Sequence, residues 1–178
     1  MLKTIHNLER LIMSTLRTFV ALLTLTLAAL ISQNSGRAEE LAMKKSLTLG
    51  VAKQIAAAAE QHARENKWNV CVAIVDDGGH LIYFQRIDGT QTGSVEVSQR
   101  KAQTAIGFKR PSKVFEDGVT GGRNVLLGLP GAVPLEGGVP LTVDGEMIGA
   151  IGVSGVTAQQ DGLIAQVGAD ALARIVKK

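Results

Sequence analysis

Glu136-Gly137-Gly138 sets a carboxylate directly before two residues that lack a Cβ. Glycines let backbone N–H groups come close to a ligand, and successive N–H groups in a turn form an anion-binding nest. A carboxylate beside such a nest can act as acid or base. The plainer alternative is a pair of glycines supplying positive φ between two strands, with Glu136 in water. Lys101, in "QRKAQTAIGF", is a second candidate: an ammonium on a helix face can meet a ligand carboxylate or propionate, although such lysines more often snorkel to solvent. Arg86, in "QRIDG", is a third, with an ion pair to Asp88 that shapes the loop as the alternative use.

The remaining chemistry-bearing residues are quickly placed. His62 falls toward the packed face of a helical segment and His80 at a turn. Neither has a second histidine at ligand spacing, so no zinc motif is present. Either histidine, or Met147, can in principle serve as an axial metal ligand. Cys71 is the only cysteine, so no internal disulfide forms, and its apolar setting "VCVAIV" reads as a buried hydrophobe. There is no P-loop, no metalloprotease motif and no nucleophile elbow around Ser154.

The elements that must position these residues follow from periodicity. "SLTLGVAKQIAAAAEQHARENKW" carries Val51, Ile55, Ala59 and His62 on one helical face. Residues 70–75 and 81–86 form a hairpin around "DDGGH". A second helix, over "VEVSQRKAQTAIGFKR", stops before Pro111. A short helical turn and a turn around 125–127 are expected between Pro111 and Leu129. Residues 129–155 hold three of the four prolines and seven of the twenty glycines, yet are rich in Val and Ile. They read as three short strands (133–135, 141–143 and 147–153) separated by glycine turns, the sharpest at Asp144-Gly145. Gly149 and Gly152 would let another backbone approach closely. Thr157 with Gln160 makes a capping box for a last helix from about 158 to 176. The expectation is an α+β sandwich with a five-stranded antiparallel sheet flanked by helices.

The chain ends bound the rest. Residues 1–38 carry early basic residues, an apolar run and the small-x-small exit Gly36-Arg37-Ala38, the pattern of a secretory signal peptide. A lasting membrane anchor needs about 20 apolar residues, and this run is broken by threonines. Residues 39–178 then form one domain, with no membrane association after cleavage and a periplasmic or secreted location. That part has fifteen basic and fifteen acidic residues, so the excess positive charge belongs to the leader. No electrostatic footprint for nucleic acid remains.

"VAIVDDGGHLIYFQRIDG", "QRKAQTAIGF", "LPGAVPLEGGVPLTVDGEMIGAIGVSG" and "AQQDGLIAQVGADAL", in this order and spacing, resemble the GlcG/HbpS family. That family takes in haem-binding and haem-degrading-type proteins and the C-terminal domain of PduO. The resemblance implies a profilin-like α/β/α sandwich and a homo-oligomer, from dimer to octamer, with ligand pockets near subunit contacts. Haem is the implied cofactor. Lys101 matches a recurrent family lysine. Ala132 follows the Pro-Gly pair at a ligand-binding position where secreted haem-binding members carry threonine. Glu96 matches the first carboxylate of an iron-binding E-x-x-E whose second position is here Gln99, which leaves Glu96 as a weak metal ligand. Three readings follow: an exported binding protein for haem, a corrinoid-like molecule or another small anionic ligand; an enzyme acting on a small organic acid with Glu136 and Lys101 as its catalytic pair, set among Arg86, Ala132, Gly137 and Gly138; or an assembly protein without ligand.

Overall fold

The computed structural model describes residues 10, 12–20 and 39–177. The chain divides into two compact units, Met1–Met43 and Lys44–Lys178. In the first, residues 12–20 are helical and exposed; most of the expected leader, with its cleavage site, lies outside the described residues. Among the described residues, no helix is long and apolar enough to cross a membrane.

The second unit runs α1 (Leu49–Glu65), β1 (Cys71–Asp76), β2 (Leu81–Arg86), α2 (Ser94–Gly107), α3 (Lys113–Thr120), a 3-10 turn (Asn124–Gly128), β3 (Gly138–Val143), β4 (Glu146–Ser154) and α4 (Ala158–Ile175). Local chemistry sets the boundaries. Thr48 caps α1 by accepting from the Val51 N–H, and Thr157 and Gln160 form the expected capping box of α4. The β1–β2 turn is held by Asp76 Oδ1, which accepts from the N–H groups of Gly78 and His80. Asp144 and Gly145 both take positive φ, +50° and +81°, as a two-residue hairpin turn between β3 and β4 requires.

The four strands lie in the order β2-β1-β4-β3, every neighbour antiparallel. Strand alternation divides the core between the two faces. Val72, Ile74, Ile151 and Val153 pack with Ile55 and Ala59 of α1 and Ile164 and Leu172 of α4. Val75 and Ala150 turn the other way, onto Ala102, Ala105 and Ile106 of α2. This second face is built small. Ala73 pairs with Gly152 in register, and a Cβ added to Gly152 would lie 2.6 Å from the Ala102 nitrogen and also meet the Ser98 carbonyl. The backbone that Gly152 admits is therefore this chain's own α2.

The sheet has four strands and not five. Residues 133–135, expected as a strand, run as an irregular segment. Pro134 has no N–H to give a ladder, and the other backbone groups are taken by helix side chains. The Val133 N–H donates to Thr104 Oγ1 (2.9 Å), the Leu135 carbonyl accepts from Ser112 Oγ (2.6 Å), and the Glu136 N–H donates to Glu116. Ladder pairing begins only where Val153 donates to the Gly137 carbonyl (2.9 Å).

Candidate functional site

Lys101 is buried, and its side chain reaches from α2 past the start of β3 to α4 on the opposite face of the sheet. Its Nζ donates to Asp161 Oδ2 at 2.8 Å and to the Val153 carbonyl at 3.1 Å, with the two charged side chains 2% and 3% exposed. Asp161 Oδ1 accepts from the Val156 N–H. Burial pushes the Asp161 carboxyl above the usual carboxylate range, against the opposing pull of Lys101 and the neighbouring backbone N–H groups. Gly137 faces this pair. Its role is to leave room: at φ +128°, an added Cβ would lie 2.8 Å from Lys101 Nζ and 2.6 Å from the Val153 oxygen. The arrangement is an inter-layer clasp rather than a free ammonium.

Glu136 lies on the outer side of this clasp, with its side chain 17% exposed and its Oε1 directed at Gly162 of α4. Lys113 Nζ is 3.3 Å from its Oε2, but the direction is too poor for a hydrogen bond, so this buried oxygen has no hydrogen-bond partner. Lys113 also pairs with Asp117 at 2.9 Å; the Asp117 bond first, and Glu136 second, hold its ammonium above the usual lysine range. Gly138 does not offer a free N–H to a ligand, because that group donates to Ser112 Oγ at 2.9 Å.

The other expected positions are scattered. Arg86 is turned onto the carbonyl of Thr90, to which its Nε donates at 3.0 Å, and so closes its own loop. Ala132 sits in the segment pinned by Thr104, its N–H donating to the Leu129 carbonyl. Glu96 is exposed on α2, 3.5 Å from Arg100 Nε, and Gln99 donates to the Val95 carbonyl. Among the described residues, no group of three or more His, Cys, Asp and Glu side chains could hold a metal ion. His62 packs edge-on against Trp68, and His80 is exposed beside Asp76. Cys71 is fully buried, and burial pushes its thiol up.

What the sequence reading missed lies where α2 hands over to α3. A cavity of about 270 Å³ is lined by Phe108, Arg110, Val114, Phe115, Arg123, Leu126 and Leu129. Phe108 and Phe115 form an edge-to-face pair, ring centroids 5.1 Å apart. Arg110 lies over the Phe115 ring at 5.9 Å, held by its Nε bond to the Phe108 carbonyl at 3.0 Å. That leaves its terminal nitrogens free for other partners. Among the described residues, no carboxylate pairs with Arg110 or Arg123. An apolar wall with two unpaired guanidinium groups suits an amphipathic molecule bearing carboxylates. The signal was present in "GFKRPSKVF": two of the chain's four phenylalanines flank an arginine where one helix must stop.

Two other cavities differ in character. One of about 670 Å³ is lined by Asp77, Asp144, Glu146, Lys109, Ile106 and Met147, a rim richer in acid than base. The other, of about 550 Å³, lies between the start of α1, the β3–β4 hairpin and the end of α4, where Lys45 is already paired with Asp144. Lys101 and Glu136 line none of the three.

The model of a family described as haem degrading protein, HbpS-like, matches residues 47–170. Protein GlcG of Escherichia coli strain K12 is 42% identical over 111 residues, which cover 62% of this chain and 83% of GlcG. A solved double mutant of Streptomyces reticuli HbpS superposes with a TM-score of 0.70 at 32% identity, covering 78% of this chain and 94% of that one. A structure described as a PduOC:heme complex superposes with a TM-score of 0.64 at 31% identity, covering 71% and 95%.

Proposed function

The chain belongs to the HbpS-like family, and from that premise we propose that it is an exported binding protein for haem or another amphipathic anionic molecule, acting as a homo-oligomer. The observation that carries the reading is the Phe108–Leu129 cavity, with an apolar wall and two guanidinium groups that lack carboxylate partners. Haem presents the complementary surface, an apolar macrocycle with two propionates on one edge. At about 270 Å³ the cavity falls just below the range of roughly 300–1,000 Å³ that encloses a drug-sized ligand. It receives the carboxylated edge and leaves the rest of the ring outside. The same segment exposes Val125 and Leu127.

The residues fit that edge and do not fit the iron. Phe, Arg, Val and Leu line the cavity, and none of these ligates haem iron in the manner of His, Met, Cys or Tyr. No step is therefore assigned to the metal. The catalytic reading of Lys101 finds its ammonium already engaged by Asp161 and Val153, which favours binding over catalysis.

A haem titration of the mature chain, followed by absorbance, tests this. Each charge-assisted guanidinium–carboxylate bond contributes about 1.5–3 kcal/mol, so Arg110→Gln/Arg123→Gln should weaken binding by about 100-fold or more. Unchanged affinity in that variant would exclude the cavity. Export predicts a secreted chain beginning near Glu39 by N-terminal sequencing, and assembly predicts a multiple of the single-chain mass by light scattering. A membrane-retained leader would contradict the first, and a monomer at micromolar concentration the second.

A further inference from the structure

We infer that recognition at the Phe108–Leu129 cavity is independent of metal, so that a metal-free porphyrin dicarboxylate binds as well as haem does. This inference rests on the reading that the cavity takes a carboxylated amphipathic ligand. Its lining offers guanidinium groups, phenylalanine rings and aliphatic side chains, and no donor that would distinguish an iron centre from an empty macrocycle. Arg110 lies over the Phe115 ring with its Nε bonded to the Phe108 carbonyl, and Arg123 stands at the start of the 3-10 turn. Two planar forks of this kind recognise carboxylates by paired hydrogen bonds.

The histidines, Met147 and Cys71 lie away from this cavity. His62 packs on Trp68 at α1, His80 stands at the β1–β2 turn, and Met147 lines the acidic cavity with Asp77 and Glu146. Cys71 is buried within β1, between β2 and β4. The free energy of binding then comes from carboxylate hydrogen bonds and apolar burial, and both are the same with and without the metal.

The test is a parallel titration of the full mature chain with haem, protoporphyrin IX and protoporphyrin IX dimethyl ester, on the unaltered protein and on Arg110→Gln/Arg123→Gln. Thermal melts confirm that both proteins are folded. The expected result is haem and protoporphyrin IX affinities within about threefold of each other. Both should fall by the same factor in the variant, and the ester should bind at variant-like strength to either protein. Haem binding about 100-fold tighter than protoporphyrin IX, with the arginine effect retained, would overturn metal independence and leave the cavity reading standing. Failure of both porphyrins to bind, or binding indifferent to the two arginines, would overturn the cavity reading itself.

Discussion

Lys101→Met should destabilise the folded chain by about 3–5 kcal/mol, because it leaves the Asp161 carboxylate buried without its counter-charge. Asp161→Leu should cost a similar amount by stranding Lys101. The double variant should be far less destabilised than the two singles added together, since replacing both partners of a buried pair by apolar groups is often near neutral. Urea unfolding of the four proteins measures this directly. The clasp joins the two helix layers across the sheet edge, so its loss should also broaden the unfolding transition. A loss below about 1 kcal/mol in both single variants would mean that water or a ligand reaches Lys101, and would return it to the list of ligand-binding groups.

Gly152→Val is the second large effect. The new side chain would meet the Ser98 carbonyl and the Ala102 nitrogen and Cβ on α2. Those atoms belong mainly to helix backbone, which cannot give way as a flexible side chain would. Overpacking commonly costs about 1–3 kcal/mol, and this position belongs at or beyond the top of that range. Gly93→Ala is the matched control: nothing lies within 4 Å of an added Cβ there, so its effect should stay within about 0.5 kcal/mol. If the two variants melted at the same temperature, α2 would not lie against β4 as described. Gly137→Val belongs with Gly152→Val: it drives a Cβ into the clasp at a positive φ, so it should lower stability.

Much of the architecture was legible because periodicity and turn chemistry agreed. The β1–β2 hairpin, the Asp144-Gly145 turn and the Thr157–Gln160 capping box were all written in local residue types. The fifth strand failed for a reason local patterning cannot hold. Val133 and Leu135 look like strand residues, but their backbone groups are claimed by Thr104 and Ser112, more than twenty positions away. Gly137 and Gly138 read as room for a ligand and Gly149 and Gly152 as room for another backbone, but the group that comes close was not legible. It is the Lys101–Asp161 clasp at Gly137 and the α2 backbone at Gly152. Asp161 went unnoticed because a carboxylate in the first turn of a helix is an ordinary surface residue until a lysine sixty positions away is brought onto it. Arg110 and Arg123 were passed over because their meaning lies in what they lack, a neighbouring carboxylate, which no spacing displays.

The most direct test of the account is a crystal structure of the mature protein soaked with haem, with the iron located by its anomalous scattering. Iron should lie near the Phe108–Leu129 cavity, with both propionates within hydrogen-bonding distance of Arg110 and Arg123 and the Lys101–Asp161 pair undisturbed. Iron bound on His62 or His80, or propionates drawn to Lys101 and Glu136 with the clasp opened, would contradict it.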